Sequence, residues 1–346
     1  MIGVIFGKFF PFHNGHLSVI KRALSECEKV FVVVCANEGS QPSGQKRAYW
    51  IQQSAPKAEV LLTDDLCTWH FSQPCVDSCT DLWKKRTAEL IPHEIDVVYS
   101  SESYGEDFSK AISARHISVD PKRDVHPISG SQIRSNLAEN WHHLPQIVKS
   151  GLHRKITILG AESSGTTTLA CDLATELNLP WVAEVGRTVS WELAIRHGGM
   201  DKVLWDESVF WRVLREQASA EIEVMNCNQN LVNPEIGPWV VCDTDAVATV
   251  VWWERYLKSN SESAWSFAQA SLADVYVVTD PRDVEFEQDG IRDGEHLRNS
   301  MHDSFVEMAL KTGKTVVIAS GSRDQRISDV IEKLREHESN YPRFSV

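Results

Sequence analysis

Short apolar runs recur along the chain, and each ends in a small residue before a polar, helix-forming stretch. In the first half these runs occupy 2–7, 30–36, 58–63 and 95–100. Continuous β-branched runs of this length are typical of parallel strands that are buried on both faces. Their alternation with helical stretches predicts a doubly wound α/β sheet, with a ligand at the carboxyl ends of its strands.

A chain of 346 residues is too long for one ordinary core. The second half repeats the opening pattern from 155–160 onward, where a β-branched run ends in glycine and leads into a loop and a helix. We therefore predict two doubly wound parallel-sheet domains, at residues 1–150 and 151–346. Further strand-like runs of the second half lie at 239–245, 274–280 and 314–320.

The loop after the first run carries the most informative motif, FGKFFPFHNGH at 6–16. His13 and His16 bracket an Asn-Gly pair where the first strand should lead into a helix. Side chains three residues apart lie on one helix face, and the free N–H groups of a helix start favour anions. Together with Lys8, the motif predicts a site that stabilises charge during attack on an α-phosphate. Two surface histidines in a turn are the alternative interpretation.

A second motif, PISGSQIRSNL at 127–137, has the features of a phosphate site. Ser129 and Ser131 precede a helical stretch, and Arg134 falls in its first turn. Hydroxyls, free amides and a guanidinium group suit the β- and γ-phosphates of ATP. Alone, Ser-Gly-Ser before a helix is usually a cap, but its pairing with the histidine motif favours a nucleotide site.

These two motifs resemble the signature of the nucleotidyltransferase superfamily. The stretch GKFFPFHNGH is close to the version found in nicotinamide mononucleotide (NMN) adenylyltransferases, in which the phosphate of one substrate attacks the other directly. The implied ATP contacts of this half are Gly7, Phe9, His13, His16, Ser129, Ser131 and Arg134, with Lys8 as a further catalytic residue.

The segment SSESYGEDF at 100–108 resembles the substrate loop of the same family. The resemblance implies that Ser101 and Tyr104 contact the substrate. Trp69 and Trp83 are candidates for stacking on nicotinamide, and Trp83 is preferred. The alternative for either tryptophan is a place in the core, because most tryptophans pack there.

The second half has its own phosphate loop, GAESSGTTT at 160–168. It fits the frame G-x-x-x-x-G-K-[ST], with Thr167 where a magnesium-binding hydroxyl belongs. Thr166 stands at the usual lysine position. Loss of that charge costs on the order of a few kcal/mol unless another cation replaces it, so a loop that only holds structure is the alternative. The predicted nucleotide contacts are Gly160, Ser163, Ser164, Gly165, Thr166, Thr167 and Thr168.

Two aspartates follow the strand-like run WVVC. Asp243 falls where a Walker-B carboxylate holds magnesium, together with Thr167. Asp245 lies two residues further on and should point the same way in an extended stretch. We predict that it positions an attacking hydroxyl.

Charged residues elsewhere in this half follow the order of motifs along the chain that is typical of small-molecule kinases. Glu184 and Arg187 follow a short strand, and we predict that they hold ribose hydroxyls and phosphate. Arg292 and Arg298 lie in the segment DGIRDGEHLR, which resembles the lid of small-molecule kinases. They are expected to bind ATP and to close over the transferred phosphoryl group. Each of these residues alone would more often be a solvated surface charge.

This half resembles the ribosylnicotinamide kinase domain of the bifunctional NadR family, in GAESSG, EVGR, DTD and the lid. The resemblance covers essentially the whole chain and implies one pathway. The C-terminal domain would phosphorylate nicotinamide riboside (NR) to NMN with ATP and Mg²⁺. The N-terminal domain would join NMN to the AMP moiety of ATP, which gives NAD and pyrophosphate. Longer members add a DNA-binding helix-turn-helix domain, whereas this chain starts at the adenylyltransferase strand, so no repressor role is expected.

Composition narrows the class of protein. The formal net charge of −13 disfavours broad binding to nucleic acid or to an anionic membrane. The eight cysteines include no C-x-x-C pair, and reduced thiols in a cytoplasmic protein are expected. The first strand leaves no room for a signal peptide, and the longest apolar run is too short to span a bilayer. A homo-oligomer remains open.

Two other functions remain open from the sequence. One is an NMN adenylyltransferase whose degenerate second domain senses nucleotide, which Thr166 would favour. The other is a non-catalytic nucleotide-binding interaction protein, which would release no pyrophosphate from ATP and NMN.

Overall fold

The computed structural model divides the chain into two units, Met1–Gly151 with the C-terminal segment, and Leu152–Tyr341. Each unit contains one five-stranded parallel sheet flanked by helices. The predicted fold class is confirmed. The described residues are 1–64, 77–102, 104–227, 232–288 and 295–345, without the side chains of 77–81.

In the first unit, β1 (Ile2–Gly7) lies at the centre of a sheet with the strand order β3-β2-β1-β4-β5. It pairs in parallel with β2 on one side and β4 on the other. Val4 and Val33 are fully buried, as expected for a strand with helices on both faces. The other elements are α1 (Asn14–Glu26), β2 (Lys29–Ala36), α2 (Gly44–Ser54), β3 (Glu59–Asp64), α3 (Asp77–Leu90), β4 (Val97–Ser100), α4 (Tyr104–Ala111), β5 (Arg115–Ser118), α5 (Gly130–Ser135) and α6 (Gln146–Leu152).

In the second unit, β6 (Arg154–Leu159) takes the central place in the order β10-β9-β6-β8-β7. Ile156 and Ile158 are fully buried between the helices. Among the described helices of the chain, none is both long and apolar enough to cross a bilayer. The other elements are α7 (Thr166–Glu176), β7 (Trp181–Val182), α8 (Val185–His197), α9 (Glu207–Cys227), β8 (Trp239–Asp243), α10 (Ala246–Leu257), α11 (Glu262–Gln269), β9 (Val275–Thr279), α12 (Arg298–Lys311), β10 (Thr315–Ala319) and α13 (Arg323–Asn340).

Both phosphate motifs follow the central strand of their sheet. The chain crosses from one side of β1 to the other, and likewise from one side of β6 to the other. The loops that leave neighbouring strands in opposite directions open a crevice at the carboxyl ends. The histidine motif follows β1, and the GAESSG loop follows β6, so each lies at such a crevice.

The C-terminal segment departs from the predicted division of the chain. The boundary at Gly151 is one residue from the predicted one. Residues 342–345, however, lie in the first unit, so their assignment to a domain of 151–346 is corrected. Ser345 forms an antiparallel bridge with Gln41, and the ring centroid of Phe344 lies 5.9 Å from that of Phe10. Such main-chain pairing between distant residues leaves no trace in the local hydrophobic pattern.

Candidate functional site

The two histidines of the first motif stack at the start of α1. Their ring centroids are 3.6 Å apart, and the N–H of His13 donates to Nδ1 of His16 at 3.3 Å. Nδ1 of His16 is therefore unprotonated, and Nε2 carries the ring proton. Gly15 permits the stack, because a Cβ there would lie 3.0 Å from Cε1 of His13.

Burial keeps both rings neutral. Burial, followed by the charge of Arg123, lowers the pKa of His13 to about 3. Burial, followed by the influence of His13, also lowers the pKa of His16 well below its usual value. In the free protein at pH 7 both imidazole groups are therefore neutral. Nδ1 of His13 is buried and has no hydrogen-bond partner among the described residues.

One cavity of about 520 Å³ brings together the residues of the first unit that were predicted to bind phosphate. Lys8 and the histidine pair line it together with the Ser129–Arg134 element. A volume of this size is ordinary for a site that takes a small molecule. The predicted residues that line it are Gly7, Lys8, Phe9, His13, His16, Ser101, Tyr104, Ser129, Ser131 and Arg134.

The Ser129–Arg134 element docks directly on the loop of the histidine motif. Ser129 caps α5, since its Oγ accepts from the N–H of Gln132 at 3.2 Å. Arg134 donates to Oγ of Ser131 and to the carbonyl oxygen of Phe10. A Cβ at Gly130 would lie 2.6 Å from the same carbonyl oxygen, so glycine is required for this close approach. Arg134 thus links the two predicted motifs.

A loop that the sequence analysis missed brings a further cation to the cavity. The carboxylate of Asp120 accepts the N–H groups of Asp124, Val125 and His126. These bonds, the one from His126 foremost, hold the pKa of Asp120 below its usual value. Arg123, in the same loop, pairs with Glu102 at 2.8 Å and lines the cavity. No motif marks this polar loop in the sequence.

Arg47 on α2 is a second residue that the sequence analysis missed. It is 2% exposed, and it donates to the carbonyl oxygen of Lys8 and to Oγ of Ser40. Its guanidinium carbon lies 5.1 Å from the ring centroid of Phe10. Arg47 therefore fixes the main chain between β1 and the histidine pair. In the sequence it cannot be told from a surface arginine of a helix.

Trp83 lies on α3 and packs against the core rather than lining the cavity. Its ring forms an edge contact with Phe6, with centroids 5.7 Å apart, beside Phe108. The described cavity lining includes Phe6 but not Trp83. Stacking of Trp83 on nicotinamide therefore stays a prediction. Trp69 lies outside the described residues.

Both glycines of the second unit's phosphate loop are required by its shape, Gly160 because of close packing and Gly165 because of its backbone conformation. A Cβ at Gly160 would lie 2.1 Å from Oγ1 of Thr279, and Gly165 has a φ of +88°. Ser164 donates to the carbonyl oxygen of Ala161 at 2.7 Å. The loop then enters α7 at Thr166. Thr167 and Thr168 occupy the first turn of this helix.

Asp243 ends β8 beside the threonines of α7 and is 1% exposed. Burial raises the pKa of its carboxyl, and hydrogen bonds from Thr167 and Thr166 oppose the rise in pKa. Its Oδ1 is buried and has no hydrogen-bond partner among the described residues. One carboxylate and one hydroxyl fit Mg²⁺, which keeps most of its water and binds substrate phosphates. In the described part of the chain, no group of three or more His, Cys, Asp or Glu side chains could hold a metal by itself.

The expectation that Asp245 points the same way as Asp243 is wrong. Thr244 has a φ of +68°, which breaks the extended stretch. Asp245 caps α10 through the N–H of Val247, and its Oδ2 accepts from Tyr276 at 3.1 Å and lies 3.3 Å from Nζ of Lys155. It is 1% exposed, so it is part of a buried ion-pair network and not of an open site.

A cleft beside Asp243 contains the predicted acceptor residues. Glu184 and Arg187 form an ion pair of 3.4 Å and line the cleft with Glu162. Burial, followed by the charge of Asp243, raises the pKa of Glu184 to about 7. Part of the cleft lining is an aromatic wall, which the sequence analysis missed because tryptophans usually signal a core. That wall includes Trp205, Phe210, Trp252 and Tyr256.

Of the two arginines of the predicted lid, the structure describes Arg298 only. Arg292 lies outside the described residues. Arg298 donates to the carbonyl oxygens of Ser163 and Val284 at 2.8 and 2.9 Å, and its guanidinium carbon lies 5.5 Å from the ring centroid of Phe286. Arg298 therefore links the phosphate loop, at Ser163, to the segment that precedes the predicted lid.

Comparisons with known proteins agree with this geometry. A cytidylyltransferase-like family model matches residues 4–136, and an AAA domain model matches residues 155–326. The trifunctional NAD biosynthesis/regulator protein NadR of Escherichia coli (strain K12) is 29% identical over an alignment of 224 residues, and this alignment covers 58% of this chain and 54% of that protein. The chain is a relative of NadR. The NadR of Salmonella typhimurium (strain LT2) matches with the same identity and coverage. The chain spans about half the length of these NadR relatives.

Solved NadR structures share the fold over nearly the whole chain. A crystal structure of NadR protein in complex with NAD and AMP-PNP has a TM-score of 0.64 and 21% identity, covering 97% of this chain and 96% of that one. A second, of NadR protein in complex with NR, has a TM-score of 0.62 and 21% identity, covering 96% and 95%. The NadR fold therefore extends through both units.

Proposed function

We propose that the chain makes NAD from nicotinamide riboside in two steps. The second unit phosphorylates the riboside to NMN with ATP, and the first unit transfers the adenylyl group of ATP to NMN. The observation that carries the proposal is the single cavity shared by Lys8, the stacked histidines and the Ser129–Arg134 element. Solved NadR structures with NAD, AMP-PNP and NR support it.

In adenylyl transfer, a phosphate oxygen of NMN attacks the α-phosphorus of ATP, and the bond from that phosphorus to the bridging oxygen breaks. Pyrophosphate leaves with the electron pair. Nε2–H of His16 donates to an oxygen of the reacting phosphate, where charge develops. Lys8 and Arg134 bind the leaving phosphates. Neutral histidines suit this role, because two adjacent imidazolium groups would repel each other.

In riboside phosphorylation, the 5′-hydroxyl attacks the γ-phosphorus of ATP, and ADP leaves. Arg187 and the aromatic wall bind and orient the riboside. Glu184 accepts the proton of the hydroxyl, since a carboxyl with a pKa near the working pH is an efficient general base. Thr167 and Asp243 would hold Mg²⁺, which supplies neutralising charge for the phosphates when bound.

A product assay tests both steps. The full chain is incubated with ATP, Mg²⁺ and either NR or NMN, and the products are identified by mass. We expect NMN followed by NAD from the riboside, and NAD with equal pyrophosphate from NMN. Absence of NAD and pyrophosphate from ATP and NMN would overturn the adenylyltransferase assignment and would favour a nucleotide-binding interaction protein.

Thr166 favours one other candidate function, an NMN adenylyltransferase whose second unit binds nucleotide as a sensor. It shares all the geometry of the first unit. The same assay separates the two, because the sensor forms NAD from NMN but no NMN from the riboside.

A further inference from the structure

Arg326 on α13 joins three loops at the carboxyl ends of the second sheet. Its guanidinium group donates to the carbonyl oxygens of Ser164, Asp280 and Gly321, at 2.9, 2.8 and 3.1 Å. The residue is 5% exposed. Ser164 belongs to the phosphate loop, Asp280 follows β9, and Gly321 follows β10. The side chain of Arg326 therefore lies beneath the phosphate loop and fixes its position.

The contacts of Arg326 give each of its three nitrogens a hydrogen-bond acceptor without neutralising its charge. Within the described ranges, all the hydrogen bonds of its side chain go to carbonyl oxygens. The neighbouring carboxylate of Asp280 binds Arg282 instead, and that bond is the main reason that the pKa of Asp280 falls to about 2. A buried charge without a counter-charge is costly. A bound nucleoside triphosphate would supply the missing negative charge.

Arg326 places a positive charge close to position 166, where the phosphate loop lacks the usual lysine. Its Nη1 lies 3.7 Å from the place of a Cβ on Gly165, the residue directly before Thr166. Two other arginines near the loop have different roles. Arg298 donates to the carbonyl oxygen of Ser163 in the phosphate loop. Arg187 pairs with Glu184 in the cleft beside Asp243.

We propose that Arg326 substitutes for the lysine that is absent at position 166, where this chain has Thr166. It acts as a positioning residue through the main chain of Ser164 and Gly165. Its charge raises the positive potential at the loop amides. Its hydrogen bond to the carbonyl oxygen of Ser164 holds the loop in place for the phosphates, and its bonds to Asp280 and Gly321 anchor the guanidinium group. The inference rests on the proposed kinase function of the second unit.

The test measures riboside phosphorylation by the full chain with ATP and Mg²⁺. Arg326→Met should lower kcat/KM for ATP at least about a hundredfold, whereas Arg326→Lys should retain activity to within about tenfold. Thr166→Lys, added to Arg326→Met, should restore at least about tenfold. Arg323→Met is the matched control, because Arg323 begins the same helix but is exposed and pairs with Asp172. The control should leave the rate unchanged.

Each other outcome is decisive. Near-normal phosphorylation by Arg326→Met overturns the proposal, and so does a loss that Thr166→Lys fails to rescue. If Arg326→Met does not fold, the neutral Arg326→Gln is compared with Arg326→Lys. Equal losses in both overturn the proposal, and a loss confined to Arg326→Gln supports it. A wild-type chain that makes NAD from NMN but no NMN from the riboside overturns the kinase function, and the inference falls with it.

Discussion

The main-chain N–H of His13 donates to Nδ1 of His16, and this bond fixes the tautomer of a ring that burial keeps neutral. The stack also depends on Gly15, which leaves room for the ring of His13. The histidine motif therefore provides a preorganised N–H donor at the start of α1. This differs from the cationic phosphate site that two histidines and a lysine suggest at first sight.

Removal of that donor should abolish most adenylyl transfer. His16→Ala is expected to lower NAD formation from ATP and NMN by at least about a hundredfold, the effect of losing one oxyanion-type donor. His93→Ala, at an exposed position of the same unit, is the control. Near-normal activity of His16→Ala would show that the pair does not stabilise the reacting phosphate.

Lowering the pH should reduce the free energy of unfolding of the first unit over a defined range. The pKa of His13 is about 3 in the folded protein and ordinarily about 6.5. The unfolded chain therefore binds protons that the folded chain does not, and the free energy of unfolding falls as the pH is lowered from about 6.5 toward 3. Thermal unfolding measured across this range should show a shallower fall for His13→Gln. An identical pH dependence for both proteins would contradict the assignment.

Riboside phosphorylation should depend on the ionisation of Glu184. Because the pKa of this carboxyl is raised to about 7, the fraction ionised increases through neutral pH. We expect kcat/KM for the riboside to rise with pH over that range. Glu184→Gln should remove the rise and lower the rate about 10²- to 10⁴-fold, while Glu223→Gln at an exposed position has no effect. A persistent titration in Glu184→Gln would assign it to another group.

Asp243 and Asp245 should differ in what their loss changes. Asp243→Asn is expected to lower riboside phosphorylation at least about a hundredfold, with little change in unfolding temperature. Asp245→Asn should destabilise the second unit by about 1–3 kcal/mol, because Lys155 loses one of its two buried carboxylate partners and keeps Glu221 at 2.8 Å. Thermal unfolding and kinase assays separate the two effects. Equal loss of adenylyl transfer in Asp243→Asn would contradict independent action of the units.

The phosphate loop should tolerate no side chain at its first glycine. A Cβ at position 160 would lie 2.1 Å from Oγ1 of Thr279 and 2.5 Å from Oγ of Ser164. Gly160→Ala is therefore expected to lower the free energy of unfolding by about 1–3 kcal/mol through overpacking. Gly186→Ala is the matched control, because its nearest atom is 3.6 Å away. Equal stability of both variants would show that the loop can relax.

Local pattern predicted most of the strands, and it failed where an element has no apolar run. Strands β1, β2 and β6 lie within one residue of the predicted runs. Strand β5 (Arg115–Ser118) was missed, because RHIS is a partly exposed edge strand. The return of residues 342–345 to the first unit was missed as well, since it depends on main-chain pairing with Gln41.

The sequence by itself determined the two α/β units, the positions of their phosphate loops and the facing of His13 and His16, because each depends on spacing along a few neighbouring residues. Only the tertiary structure decided the burial that keeps the histidines neutral, the direction of Asp245 and the place of Arg326 beneath its loop. These depend on which distant elements meet at the carboxyl ends of the strands. Desolvation and hydrogen bonding there are set by packing, which no local pattern encodes.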